Sequence, residues 1–138
     1  MHNLNPISPL GNTKPLSEEF GLYTLSEITS FSLASFTLRK GTEGDARKVI
    51  EQCIQGSLPD IMSSNFGKIS SFWIGPSQWL IEASVETHED LAGELTEISN
   101  GKASVTEQTD AWCRFDLNGQ ELASPLALLC NVDVPAFK

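Results

Sequence analysis

The chain has 138 residues, 40% of them hydrophobic and 20% charged, a composition typical of one globular domain and not of a disordered segment. Its net charge of −9 opposes binding to nucleic acid or to an anionic membrane surface, because both require clustered Lys and Arg side chains. The N-terminus lacks the basic start and apolar stretch of a signal peptide, and no apolar run is long enough to cross a bilayer. We therefore expect a soluble protein without nucleic acid or membrane partners.

The first third of the chain changes from an irregular segment to a strand and a helix. Residues 1–30 contain three prolines among Asn, Ser, Gly and Glu, which predicts an extended, weakly structured arm, either frayed or ordered against a partner. Alternation over residues 31–39 predicts a strand that opens a single domain, residues 31–138. A helix ending before Gly56 is then predicted by apolar residues at helical spacing, namely Ala46, Val49, Ile50, Cys53 and Ile54.

A β-hairpin and a second helix follow a predicted loop over residues 60–67. Two apolar segments, 68–74 and 78–85, are joined by only Gly75, Pro76 and Ser77, which requires an antiparallel turn. Thr87 is then predicted to cap a helix, with Asp90 reaching back to it. The buried stripe of that helix should consist of Leu91, Ala92, Leu95 and Ile98.

The last part of the chain predicts a strand at 103–105, another at 111–117 and an apolar helix within 122–130. Pro125 either occupies the first helical position after a Ser124 cap or kinks that helix. The order β-α-β-β-α-β predicts an α+β domain with a ferredoxin-like antiparallel sheet and helices on one face, followed by an extra strand and helix. Because several strands are apolar on both sides, either the last segment or another chain should cover the second sheet face.

No arrangement of residues predicts catalysis. A nucleophile needs a neighbouring base, and the only histidines are His2 in the irregular arm and His88 in the first turn of a predicted helix. The carboxylates follow a solvated helix face, and no glycine-rich phosphate motif is present. The aromatic residues lack the nearby basic residues that a nucleic acid platform requires, so core packing or a protein interface is the better interpretation.

The three cysteines, Cys53, Cys113 and Cys130, are odd in number and widely spaced. Without a C-x-x-C pair they predict neither a disulfide framework nor a zinc site. We expect reduced thiols that fill apolar space in a cytoplasmic protein.

One segment is more specific than the rest. Phe72-Trp73-Ile74-Gly75-Pro76-Ser77-Gln78-Trp79-Leu80-Ile81 resembles the hairpin W-[LI]-G-P-[DS]-[EQ]-W-L-[LI] of the sarcosine oxidase gamma subunit family. Further likeness extends over residues 105–119 and 130–137, so the resemblance covers roughly residues 30–138 and is strongest at 72–81 and 128–137. The candidates for family-motif or interface residues are therefore Trp73, Gly75, Pro76, Trp79, Gly119, Asp133 and Phe137.

The resemblance implies a non-catalytic small subunit of a heterotetrameric flavoenzyme that oxidatively demethylates sarcosine to glycine. Its fold would be related to the folate-binding aminomethyltransferase of the glycine cleavage system. In that family FAD, FMN, NAD and tetrahydrofolate belong to the larger subunits, so no catalytic, cofactor or metal residue is expected in this chain. The expected partners are those larger subunits, with homo-oligomers as the alternative when the chain is isolated.

Three features depart from the family pattern. Ser77 replaces an aspartate, Pro125 interrupts a helix that is usually free of proline, and the sequence stops at Lys138 where the family pattern continues, which suggests a C-terminally short member. Two other hypotheses stay open. One is a small-molecule binding domain of the folate type, and the other is an independent enzyme of unknown type.

Overall fold

The computed structural model describes residues 7–131 and residue 133, which form two compact units. One unit is Ser30–Ala111, and the other combines the described residues up to Thr29 with those from Trp112 onward. The strands are β1 (Ser17–Phe20), β2 (Tyr23–Ile28), β3 (Phe31–Leu38), β4 (Ser64–Asn65), β5 (Ile69–Gly75), β6 (Gln78–Ser84), β7 (Ala103–Glu107) and β8 (Arg114–Gly119). The helices are α1 (Glu43–Cys53), α2 (Leu91–Ser99) and α3 (Ala123–Leu129), with a short 3-10 helix at Thr109–Ala111. None of the described helices is long and apolar enough to span a bilayer.

The unit Ser30–Ala111 has the ferredoxin-like arrangement that the sequence predicts. Its main elements run β3-α1-β5-β6-α2-β7 along the chain, and the sheet order is β4-β5-β6-β3-β7 with antiparallel neighbours throughout. Each helix thus connects two strands that are not sheet neighbours, which is the split β-α-β pattern. The α+β fold class is confirmed. The two-residue strand β4 adds an edge to the sheet where a loop was expected.

The core of this unit lies between one sheet face and the two helices. Phe36 and Ile81 project from the sheet, Ile50 from α1 and Leu95 from α2, and all four are fully buried in one cluster. Each such side chain stabilises the fold by about 1.5–3 kcal/mol through loss of apolar surface from water. Both helices therefore cover the same sheet face, as predicted.

The N-cap and the buried face of α2 differ from the prediction. The N-cap is Asp90, whose Oδ1 accepts a hydrogen bond from the Gly93 N–H at 2.9 Å, whereas the Thr87 hydroxyl donates to the Ser84 carbonyl. The N-cap residue directly precedes the helix, and its side chain accepts a hydrogen bond from the N–H two or three residues later. Because α2 begins at Leu91, Asp90 occupies this position. Ile98, predicted to be buried, is 42% exposed, and Ser99 is buried instead.

Apolar side chains of β3 are buried on both faces of the strand. Phe31 and Leu33 alternate with the core residues Ala34 and Phe36, and are only 7% and 5% exposed. The backbone N–H of Leu33 donates to the Thr109 hydroxyl at 2.9 Å, so the 3-10 helix is attached to this strand. The expected burial of both faces therefore holds for β3.

The second unit contains a three-stranded antiparallel sheet in the order β1-β2-β8. Residues 17–28 thus form a hairpin within the segment where a weakly structured arm was expected. The last predicted strand begins at Arg114, not at residue 111, and pairs with β2 along its whole length instead of joining the larger sheet. The pairing joins residues about 90 positions apart, which a local sequence pattern cannot reveal.

Helix α3 places Pro125 at its third position. Neither predicted arrangement is correct, because the helix starts at Ala123 and proline is accommodated inside the first turn. The first four N–H groups of a helix have no intrahelical acceptor, so proline loses no hydrogen bond there. No residue of α3 is buried, and Leu128 is 88% exposed.

Glu27 on β2 is a buried carboxylate that organises the N-terminal segment. Its two oxygens accept hydrogen bonds from the backbone N–H groups of Leu10 and Leu16, each at 2.9 Å. Burial by itself would raise the pKa of Glu27. The N–H groups of Leu16 and Leu10, together with the Ser8 hydroxyl, nevertheless hold this pKa below its ordinary value of 4.5. The ionised carboxylate therefore connects residues 8–16 to the sheet.

We expect the stability contributed by Glu27 to be present above pH 4.5 and to be lost as the pH falls through the lowered pKa of the folded state. The sign follows because the unfolded chain binds the proton first, so acid favours unfolding. Glu27→Gln should unfold at lower urea concentration near neutral pH and depend less on acid than the parent chain. Glu19→Gln, at an exposed position of β1, is the matched control. Equal acid dependence of the Glu27→Gln and parent chains would contradict the assignment.

Candidate functional site

The motif hairpin places Trp73 and Trp79 directly opposite each other on β5 and β6. Trp79 is 3% exposed, and its indole N–H donates to the Pro59 carbonyl oxygen at 2.8 Å. The Arg47 guanidinium carbon lies 5.2 Å from the centroid of the Trp79 ring, within cation–π range. Trp73 packs against the same core but stays partly exposed. Trp79 is therefore a core residue with a fixed orientation.

The turn between the two tryptophans contains the other two hairpin candidates. Gly75 pairs with Gln78, and the register shifts between Trp73 and Gly75. Pro76 and Ser77 are exposed, and Ser77 has a φ of 60°. That left-handed conformation is more common for Asp than for Ser, so an aspartate would fit this position at least as well as Ser77 does.

The remaining candidates belong to the other unit or lie outside the description. Gly119 ends β8 opposite Tyr23, where an added Cβ would lie 2.6 Å from the Leu22 carbonyl oxygen. The close approach of two strands therefore requires glycine there. Asp133 is exposed outside regular structure, and Phe137 lies outside the described residues. The structure thus brings together only the hairpin candidates.

A cleft of about 560 Å³ brings together two reactive side chains that the sequence did not associate, Cys53 and His88. The Nδ1 atom of His88 lies 2.6 Å from the Glu94 carboxylate. Burial, and secondarily the charge of Glu94, raise the pKa of the Cys53 thiol above its ordinary value of 9.0. Since the thiolate is the nucleophilic form, this shift lowers the fraction of Cys53 that can act as a nucleophile.

The Cys53, His88 and Glu94 grouping was missed because each residue has an ordinary local role. Cys53 belongs to the apolar stripe of α1, and His88 precedes α2 by three residues. Only the packing of the two helices side by side brings these positions to one place. The described residues contain no group of three His, Cys, Asp or Glu side chains that could hold a metal ion.

Exposed apolar side chains surround β4 at the edge of the larger sheet. We call the exposed Ile61, Met62 and Phe66, together with the half-buried Phe72, the β4 patch. Ile61 is 69% exposed and Phe66 78% exposed, and the Phe66 ring contacts Phe72 edge-on with centroids 5.6 Å apart. Aromatic and methionine side chains exposed together next to a short edge strand are typical of a protein contact surface.

No protein-family model and no curated protein matches the chain. Among solved structures, the chain is similar to a chain of the heterotetrameric sarcosine oxidase from Corynebacterium sp. U-96, determined in complex with pyrrole 2-carboxylate. The similarity has a TM-score of 0.67 at 17% sequence identity. It covers 80% of the present chain and 57% of the length of the other. The protein therefore has a sarcosine oxidase-related fold.

The two tryptophans should differ in their effect on stability. Trp79→Ala should lower the free energy of unfolding by about 3–5 kcal/mol, because it removes a buried ring and leaves a cavity. Trp73→Ala should have a smaller effect, since part of that ring is already in water. Urea denaturation of the two variants and the parent chain measures both values. An equal or larger loss for Trp73→Ala would show that the burial of Trp79 does not control the hairpin.

The three thiols should react at different rates. Cys113 and Cys130 are exposed, so iodoacetamide should modify them about tenfold faster than Cys53 near pH 7, where Cys53 is more fully protonated. Peptide mapping by mass spectrometry gives the three rates separately. Unfolding in urea should make the rates similar. Fast modification of Cys53 in the folded chain would contradict its protected state.

Proposed function

We propose that this chain is a non-catalytic, gamma-type subunit of a sarcosine oxidase-like heterotetrameric complex. In such a complex the larger chains oxidatively demethylate sarcosine to glycine. The observation that carries the proposal is the fold similarity over 80% of this chain to a chain of a heterotetrameric sarcosine oxidase. The paired tryptophans of the hairpin add a sequence motif at a defined place in that fold.

The division of roles within the complex is what the family resemblance implies. FAD, FMN, NAD and tetrahydrofolate would be held by the larger subunits. The Cys53 thiol lines the same cleft as His88, but its surroundings raise its pKa and so disfavour the nucleophilic thiolate. This chain would therefore contribute structure and contacts. Its three free thiols favour a reducing compartment such as the cytoplasm.

The β4 patch is the surface that we assign to these contacts. Burial of an exposed aromatic ring in a partner's apolar pocket is a common source of binding energy, and such rings are concentrated at the centres of interfaces. Phe66 is held against Phe72, so less conformational freedom would be lost when a partner covers it. The two-residue strand β4 also leaves little edge for non-specific pairing of strands.

Reconstitution tests the proposal. The full chain is mixed with the larger subunits of a heterotetrameric sarcosine oxidase purified without their gamma-type subunit, and the mass of the mixture is measured by size exclusion with light scattering. We expect a stoichiometric complex. The isolated chain should release no hydrogen peroxide when sarcosine is added.

Two substitutions locate the contact. Phe66→Ser should weaken assembly about tenfold or more, as for a central interface residue. Ile98→Ser is the matched control, because Ile98 is an exposed apolar residue on α2 outside the patch. Absence of any complex, or turnover of sarcosine by the chain alone, would refute the proposed function. A complex that tolerates Phe66→Ser would place the interface elsewhere.

A further inference from the structure

The cleft beside Cys53 has walls with a fixed shape. Gln55, two residues after the end of α1, has a φ of 53°, and a Cβ added to Gly56 would lie 2.9 Å from Nδ2 of Asn65. That amide nitrogen donates to the Ser57 carbonyl oxygen at 2.8 Å. This left-handed residue closes the C-terminus of α1, because the Gln55 N–H donates to the Gln52 carbonyl oxygen at 3.3 Å and the Gly56 N–H donates to the Glu51 carbonyl oxygen at 3.1 Å. The cleft is therefore formed before any ligand arrives.

The lining combines apolar side chains with polar groups that still have hydrogen-bonding capacity. Ile54 and Ile69 are half-buried in the lining, and the exposed Phe66 ring stands beside them. Within the described part of the chain, the Lys68 ammonium group and the Gln55 amide make no side-chain hydrogen bond or ion pair. A volume of about 560 Å³ lies within the usual range for small-molecule sites.

The charges in the cleft define an orientation for its ligand. The Glu94 carboxylate acts on Cys53 through its negative charge and contacts His88, and Cys53 and His88 both line the cleft. An anionic group is therefore disfavoured next to Cys53. Lys68 offers an unpaired positive charge in an exposed position of the lining, and an ammonium group forms charge-assisted hydrogen bonds with carboxylates.

We propose that the cleft binds a small carboxylate with an apolar body, with the carboxylate on Lys68 and the body against Ile54 and Ile69. In this orientation the apolar body lies over the Cys53 thiol. The isolated chain should bind this ligand, and assembly with larger subunits is not required. The failure of either proposal therefore leaves the other in place.

The test uses 2-naphthoate as the probe and 2-naphthamide as its neutral counterpart. Binding is measured on the full chain by changes in NMR chemical shift. We expect 2-naphthoate to bind with a Kd of about 0.1–1 mM, as for a weak ligand of this size. The amide should bind about tenfold more weakly, because it lacks the charge that Lys68 attracts.

Charge variants identify the group that recognises the carboxylate. Lys68→Gln should weaken 2-naphthoate binding about tenfold and leave 2-naphthamide binding unchanged. Lys48→Gln makes the same charge change at an exposed position of α1 outside the cleft, and should have no effect. Equal binding of the two probes, or 2-naphthoate binding that tolerates Lys68→Gln, would overturn the proposal.

Thiol protection locates the apolar body independently. In a Cys113→Ser, Cys130→Ser background, 2-naphthoate at saturating concentration should slow the modification of Cys53 several-fold. The exposed thiols of the parent chain, Cys113 and Cys130, should react at unchanged rates. Modification of Cys53 that stays unchanged when the probe is bound would show that the probe occupies another surface, and would also overturn the proposal.

Discussion

The structure of the larger unit depends on the burial of one sheet face beneath two helices. Phe36 lies at the centre of this contact, opposite Trp79 on β6 and Val105 on β7. Because β3 pairs with both β6 and β7, the apolar residues of these three strands form one surface, and both helices pack against it. The tryptophan hairpin, the capped start of α2 and the walls of the cleft all follow from this packing.

Two carboxylates illustrate how position determines what a charge does in this protein. Glu27 is buried, yet the backbone N–H groups of Leu16 and Leu10 stabilise its charged form, so its pKa falls. Glu94 is half-exposed, and its charge does not stabilise the thiolate form of Cys53. Its charge adds to burial in keeping that thiol protonated. The first carboxylate supports the fold, and the second disfavours nucleophilic chemistry in the cleft.

Two neighbouring surface features of the chain are suited to binding other molecules. The β4 patch exposes aromatic and aliphatic groups that a partner chain could cover. Next to it, the cleft presents Lys68 above an apolar floor. Phe66 belongs to both, so a partner on the patch would also form part of the rim of the cleft.

The sequence by itself determined the elements whose stabilising residues are close together in the chain. Helical spacing defined α1 and most of α2, a three-residue turn defined the hairpin, and the order of these elements defined the ferredoxin-like unit. The tertiary structure alone decided the pairing of β8 with β2, the network of Glu27, and the cleft that brings Cys53 and His88 together. Each of these joins residues that no local period relates, since strand pairing and charge interactions depend on distance in space and not on separation along the chain.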